Sequence, residues 1–102
     1  MIRKPIVSGS FYPGTGSACQ KAIDILNKNS KKSLRKEIIA GIVPHAGWIF
    51  SGQIAFNVFA SINSVKNMTF ILLGAVHSSG VYKSAIYGEE FWETPLGKIN
   101  ID

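Results

Sequence analysis

Two histidines, His45 and His77, are the residues whose type and placement are best suited to chemistry. They are the only histidines of the chain, and they lie 32 positions apart. Each comes just after an apolar run of the sequence. Imidazole binds zinc, copper, iron and nickel, and a non-haem iron site would add a carboxylate to two histidines while leaving positions open for oxygen and substrate. We therefore predict that His45 and His77 form a metal or substrate site.

The sequence does not select a third ligand for this site. The nearby carboxylates belong to Glu89, Glu90 and Glu93, and no spacing rule favours one of them. Gly47 and Gly74 would allow a ligand to approach the backbone closely, although a tight turn explains a glycine equally well. Each histidine taken alone is more commonly a polar residue hydrogen-bonded to the backbone. The matched positions of the pair favour a shared site.

Aromatic residues are predicted to line an apolar substrate pocket beside the histidines, with a place in the core as the alternative. The four candidates are Phe11, Trp48, Phe50 and Trp92. Ser51 and Ser78 are conceivable nucleophiles, but neither stands in the Gly-x-Ser-x-Gly pattern of a nucleophile elbow. For Ser51 the simpler expectation is an N-cap of the helix that follows it.

The elements around the histidines are predicted to form a βαβ unit. Residues 38–44 and 68–74 are two continuous apolar runs, as in strands that are covered on both faces of a parallel sheet. Residues 53–61 lie between them and carry apolar side chains at helical spacing. Because ligands bind at the carboxyl ends of such strands, the unit would bring His45 and His77 to one site.

The rest of the chain predicts further α/β elements. Residues 1–14 are expected to be an extended arm that ends in a turn, and a helix is expected to begin with Ser17 as its N-cap. Residues 82–87 alternate as a strand would, and residues 98–102 resemble the start of another element. We predict an α/β fold with a mainly parallel sheet and flanking helices. Only two helices are evident, so we expect a fragment or a chain completed by association.

Length and composition indicate one globular domain with a modest core of its own. The chain has 102 residues, of which 46% are hydrophobic and 17% are charged. These values exclude a disordered or fibrous protein. The net charge of +5 arises mostly before position 37, and the basic run at 28–36 contains no aromatic residue. We therefore expect a solvated surface there and no nucleic-acid binding.

Cysteine content and hydropathy bear on the compartment. Cys19 is the only cysteine, which excludes an intrachain disulfide, and we expect it to be a small core residue. No apolar stretch approaches the roughly 20 residues that span a bilayer, and the first residues lack the pattern of a signal peptide. A cytoplasmic location without membrane insertion is the resulting expectation.

Four segments resemble the Memo family, also called AmmeMemoRadiSam system protein B, in order and spacing. They are Gly-Ser-Phe-Tyr-Pro at 9–13, Val-Pro-His-Ala-Gly-Trp-Ile-Phe-Ser-Gly at 43–52, Phe-Ile-Leu-Leu-Gly-Ala-Val-His at 70–77 and Thr-Pro-Leu-Gly at 94–97. The likeness runs across the whole chain, and Pro-His-Ala-Gly followed by Ser-Gly is its most specific part. Since family members are more than twice as long, the resemblance implies one Memo-like domain over 1–102 that corresponds to the N-terminal portion.

The resemblance implies a fold of the class III extradiol dioxygenase type, the non-haem iron enzymes that cleave catechol rings. His45 and His77 match the two histidines of the family's pocket. A third residue, a cysteine from the later half of some members, has no counterpart here. The sequence also departs from the family pattern, because Ser78 replaces a second histidine, and Trp48 and Phe50 stand where tyrosine is common.

Two functions follow as hypotheses. The first is a metal-dependent redox or dioxygenase-like enzyme that binds iron or copper through His45 and His77. The second is a non-enzymatic binding module for a phosphorylated or aromatic ligand or for a protein partner. The family's second name implies radical-SAM and AMMECR-type partner proteins.

Overall fold

The described residues of this α/β chain form two helices and a small mixed sheet. The computed structural model describes residues 1–31, 38–62, 67–80 and 83–102. The elements, in chain order, are β1 (Ile2–Arg3), α1 (Gly16–Lys28), α2 (Trp48–Ala60), β2 (Phe91–Thr94) and β3 (Gly97–Asn100). The α/β class predicted from the sequence is confirmed.

The sheet has the order β1-β2-β3, with one parallel and one antiparallel pair. The extended arm pairs with β2 in parallel, which places Arg3 opposite Trp92. The segment that resembled a new element is β3, which forms a hairpin with β2 through a turn at Pro95. An ion pair between Lys4 and Glu93 links the end of the arm to β2. Among the described residues the sheet is therefore mixed and not mainly parallel.

Helix α1 begins earlier than expected because a different hydroxyl caps it. The side chain of Thr15, and not that of Ser17, accepts a hydrogen bond from the Ala18 amide at 3.3 Å. An N-cap oxygen must reach an amide two or three residues later, and Thr15 is placed to do so. Cys19 is only 1% exposed and its thiol donates to the Pro13 carbonyl at 3.0 Å. The expectation that Cys19 is a small core residue is confirmed.

Helix α2 begins five residues before the predicted start, with Gly47 as its N-cap and no side-chain cap. The prediction that Ser51 is the N-cap is wrong. The Trp48 amide instead donates to the carbonyl of Phe11 at 2.7 Å. A partner 37 positions away in the chain leaves no local sign in the sequence, which explains the error.

The predicted βαβ unit is not formed by the described residues. Residues 38–44 and 68–74 belong to no strand in the described part of the chain. Gly41 does lie against α2, since a Cβ atom there would come within 2.6 Å of Val58 Cγ1. A buried parallel strand, however, needs cover on both faces. Ile39 and Leu73 are 104% and 95% exposed, so the described elements do not supply that cover.

The core is smaller than the composition predicted. Cys19 is the one buried apolar side chain within the described ranges. Helices α1 and α2 pack on each other, and Leu26 of α1 approaches Gly52 of α2. No second layer covers the outer side of this pair among the described elements. Most large apolar side chains consequently remain open to solvent.

Two predicted features fall partly outside the described residues. Tyr82 begins the strand expected at 82–87 and is not described, and the described residues 83–87 form no strand. Most of the basic run at 28–36 likewise lies outside the described ranges. In the described part of the chain, no helix has the length and apolar character needed to cross a bilayer.

Candidate functional site

The two histidine rings meet in the structure. The Nε2 atom of His45 lies 3.3 Å from Nε2 of His77, and the ring centroids are 5.3 Å apart with an interplanar angle of 37°. Both residues are exposed. The matched positions after the two apolar runs therefore predicted their proximity correctly, although neither run is a strand.

The turn at His45 is fixed by contacts on both sides. The hydroxyl of Ser51 donates to the Ala46 carbonyl at 3.2 Å. Gly47 approaches the N-terminal loop so closely that a Cβ atom there would lie 3.3 Å from the Phe11 carbonyl oxygen. The chain, and not a ligand, thus accounts for Gly47. At Gly74, by contrast, an added Cβ would meet no atom of the described structure within 4 Å.

The segment that leads to His77 is held at its other end. Thr69 donates through its hydroxyl to the Asp102 carboxylate at 3.1 Å. This bond joins the start of the apolar run to the residues that follow β3. The run then leads to His77 with its own apolar side chains largely exposed.

The carboxylates considered as third ligands lie elsewhere. Glu89 and Glu90 face the terminal amine of Met1 at 3.5 and 3.2 Å, and Glu93 pairs with Lys4. No cluster of three or more His, Cys, Asp or Glu side chains suited to a metal occurs among the described residues. The histidine pair is thus a two-nitrogen site within the described chain.

Two of the four predicted pocket residues share a cavity. Phe11 and Trp48 line an open cavity of about 580 Å³ between the N-terminal loop, α1 and α2. Ile25 and Leu26 close its α1 side, and neither histidine is part of its lining. Its walls are mainly apolar, so it suits an aromatic or aliphatic group.

Phe50 and Trp92 lie outside this lining. Phe50 is 83% exposed. Trp92 stands in β2, where its ring packs edge-on against Tyr87 with the ring centroids 5.5 Å apart. The Arg3 guanidinium carbon lies 5.0 Å from the centroid of the Trp92 ring. Its indole Nε1 is buried and has no hydrogen-bond partner in the described part of the chain. A role of these two residues in substrate binding stays a prediction.

Tyr87 and Arg3 complete an aromatic and cationic cluster that the sequence did not indicate. The guanidinium of Arg3 lies 5.1 Å from the centroid of the Tyr87 ring as well as close to Trp92. Burial, followed by the negative charge of Glu89, raises the pKa of Tyr87, and the charge of Arg3 opposes this. Residues 84 positions apart cannot be paired from spacing without knowledge of the sheet.

Tyr12 was also missed as a cavity residue. Its ring packs against Trp48 at 5.7 Å and lines the same cavity. The signal available was its place in Gly-Ser-Phe-Tyr-Pro, next to the predicted pocket residue Phe11. The loop of residues 9–13 contributes to the cavity as a continuous segment and not through one side chain.

Comparisons with known proteins show which family this chain resembles. Residues 3–102 match the family model of the Memo-like proteins. A MEMO1 family protein of Thermococcus onnurineus is 37% identical, with 100% of this chain and 35% of the relative covered. MEMO1 family proteins of Aquifex aeolicus and Nitrosopumilus maritimus are 34% and 35% identical, with 99% and 100% of this chain and 37% and 39% of the relatives covered.

No solved structure gives a significant match. The chain spans a little over a third of the length of the curated relatives. The match to the family model nevertheless runs over almost every residue and includes both histidines and the loop that supports them. The chain therefore belongs to the Memo-like protein family.

Proposed function

We propose that His45 and His77 bind one transition-metal ion, iron or copper, and that this site serves redox or dioxygenase-like chemistry. The observation that carries the proposal is the 3.3 Å distance between the two Nε2 atoms. Both rings present the same nitrogen to the same point, and both are exposed to solvent. A metal ion could therefore reach them without a change of the core.

The separation of the nitrogens fits a shared ion. Metal to imidazole bonds are about 2.0–2.1 Å long, so two nitrogens on one ion lie roughly 2.9–3.4 Å apart at coordination angles between octahedral and tetrahedral. The observed 3.3 Å falls within this interval. The distance also fits a direct hydrogen bond, in which one Nε2 donates and the other accepts. The two arrangements predict different responses to added metal.

A bound iron or copper ion would supply Lewis acidity and one-electron chemistry, with open positions for oxygen and substrate. In this proposal, the chain holds the ion through two neutral imidazoles. The remaining ligands have no source among the described side chains, so water or residues outside the described ranges would provide them. The fold of the class III extradiol dioxygenases, which the family resemblance implies, is part of the same proposal.

A second candidate is a binding module without chemistry. The apolar cavity lined by Phe11, Tyr12 and Trp48 favours this reading, because its volume of about 580 Å³ and its aromatic walls suit a small aromatic ligand. In this case ligand binding would survive removal of metal. A phosphorylated ligand or a protein partner belongs to the same hypothesis, but the cavity's apolar walls favour the aromatic ligand.

The wider setting extends the proposal. We place the protein in the cytoplasm, where the unpaired thiol of Cys19 accords with a reducing compartment. The family's association with radical-SAM and AMMECR-type proteins makes these the partner classes to examine first.

Metal titration tests the first candidate. The chain would be washed with chelator and titrated with iron(II) under anaerobic conditions, then separately with copper(II), and followed by calorimetry and metal analysis. We expect about one ion per chain, and a loss of affinity on the order of tenfold or more in His45→Ala and in His77→Ala, since each removes a direct ligand. Ser79→Ala, in the exposed loop after His77, is the matched control and should bind as the wild type does.

The outcomes separate the candidates. Equal and negligible binding by the wild type and by a variant that combines His45→Ala with His77→Ala would contradict a metal site. A small aromatic probe such as catechol would then be titrated into the chelator-washed protein. Saturable binding that Trp48→Ala weakens and His77→Ala leaves intact would favour the binding module.

A further inference from the structure

Ser51 lies outside the two proposed ligands but touches the turn that carries one of them. It is only 9% exposed, although it stands in the first turn of α2. Its hydroxyl donates to the carbonyl of Ala46, the residue directly after His45, at 3.2 Å. The side chain therefore links the helix to the His45 turn.

This bond is not the usual one for a helical serine. Serine and threonine inside a helix commonly donate to the carbonyl four residues earlier. In α2 that carbonyl belongs to Gly47, and it accepts from the backbone amides of Phe50 and Ser51 at 2.9 and 3.2 Å. The hydroxyl of Ser51 reaches one residue further, to Ala46, which lies before the helix.

Ser61 gives the ordinary case in the same helix. It stands at the C-cap of α2, and its hydroxyl donates to the carbonyl of Asn57, four residues earlier, at 2.7 Å. Both serines thus donate a hydrogen bond to an earlier backbone carbonyl, at opposite ends of α2. Only the bond of Ser51 extends to a residue next to a histidine.

We infer that Ser51 is a positioning residue that holds the His45 imidazole opposite His77 by fixing the carbonyl of Ala46. The turn has a second restraint at Gly47, where the chain meets the Phe11 carbonyl. That contact fixes the end of the turn nearest the helix. The bond from Ser51 acts one residue closer to His45, on the peptide between Ala46 and Gly47. Its loss lets that peptide rotate, which moves the backbone next to His45 and widens the distance between the two rings.

Nuclear magnetic resonance of the full, metal-free chain tests this inference. His45 and His77 are the only two histidines, so an Overhauser contact between their ring protons can be assigned without ambiguity. We expect the wild type to show this contact and Ser51→Ala to lose it while keeping its helical circular dichroism. Ser51→Thr retains the hydroxyl and should restore the contact. Ser61→Ala removes the comparable bond at the other end of α2 and should leave the contact unchanged.

An additional variant keeps the test decisive if Ser51→Ala fails to fold. Ser51→Cys preserves the shape of the side chain but replaces the hydroxyl with a weak donor. A weakened contact between the rings in folded Ser51→Cys would support the inference. A contact of wild-type strength in folded Ser51→Ala, or in Ser51→Cys where the alanine variant is unfolded, would overturn it.

Metal affinity gives a second measurement, which rests on the proposed function. Copper(II) should bind about tenfold more weakly to Ser51→Ala than to Ser61→Ala, as expected for loss of a group that orients a ligand. If no variant and no wild type bound metal, the proposed function would fail. The ring contact in the metal-free chain would still decide the role of Ser51.

Discussion

At the scale of single residues, Arg3 is held by two aromatic faces. Its guanidinium lies close to the rings of Tyr87 and Trp92, and β1 pairs with β2 at Arg3 and Trp92. Cation–π contacts of this kind stabilise a structure by about 0.5–1 kcal/mol at exposed sites. The cluster therefore helps to fix the N-terminal arm on the sheet.

Tyr87 should make the fold sensitive to alkaline pH. Burial, followed by the charge of Glu89, raises the pKa of Tyr87 above its ordinary value of 10.0. The unfolded chain then releases the phenolic proton at lower pH than the folded chain does, so stability falls as pH rises through 10 and on through the raised pKa. We expect Tyr87→Phe to lose less stability than the wild type over this interval, as measured by urea unfolding at pH 8 to 11. Equal losses in both proteins would contradict the assignment.

The residues of the site differ in how far the sequence reveals them. His45 and His77 could be paired because each follows an apolar run. Segments that lie side by side bring the residues at their ends together. Ser51 was considered as an N-cap and as a nucleophile but not as a support of the His45 turn, because its bond to Ala46 depends on where α2 begins. Arg3 and Tyr87 become neighbours only through the sheet. Local pattern thus identified the ligand candidates but not the residues that support them.

At the scale of elements, the sheet contacts the start of α1 through backbone atoms. A Cβ atom added to Gly16, the first residue of α1, would come within 2.7 Å of the Pro95 carbonyl oxygen. Pro95 belongs to the turn between β2 and β3. The absence of a side chain at Gly16 therefore allows α1 and the hairpin to pack directly.

Gly16→Ala should destabilise the chain although alanine is the better helix former. The added methyl would meet a backbone oxygen, and overpacking of this kind commonly costs about 1–3 kcal/mol. Gly88→Ala is the control, because an added Cβ there meets no described atom within 4 Å and its backbone lies outside the left-handed region. We expect it to change the free energy of unfolding by no more than about 0.5 kcal/mol. Urea titration followed by circular dichroism measures both variants, and equal effects would refute the packing argument.

Both helices could be predicted from apolar spacing, but their first residues could not. A start depends on which group accepts the first free amides, and the sequence offered several hydroxyls near each start. Thr15 satisfies one helix locally, whereas the Phe11 carbonyl satisfies the other from a distant loop. Only the cap formed by Thr15 could have been predicted from the local sequence.

At the scale of the whole molecule, the two apolar runs leave large side chains exposed to solvent. We call this the apolar surface and define it by residues 38–44 and 68–74, in which Ile39 and Leu73 are almost completely exposed. Monomeric proteins rarely leave large contiguous apolar areas in water. The two runs have the composition of buried strands, and the described part of the chain does not bury them, which is why the strand prediction was wrong while the α/β class was right.

The apolar surface should make the isolated chain bind the hydrophobic dye ANS and associate as concentration rises. Replacing Ile39 and Leu73 with lysine should reduce dye fluorescence by about half and shift sedimentation towards the monomer, because charge opposes contact between apolar patches. Ile6→Lys is the control, since Ile6 is 82% exposed but lies outside both runs. Equal fluorescence and sedimentation in all three proteins would show that the apolar surface does not drive association.

The contact between Phe11 and Trp48 has a consequence for engineering. Phe11 uses its main-chain carbonyl to receive the first amide of α2 and its ring to line the cavity. Every residue type offers that carbonyl, whereas the ring is lost when a non-aromatic residue replaces phenylalanine. Position 11 is therefore a place where the shape of the cavity can be redesigned while the start of α2, and with it the histidine turn, retains its anchor.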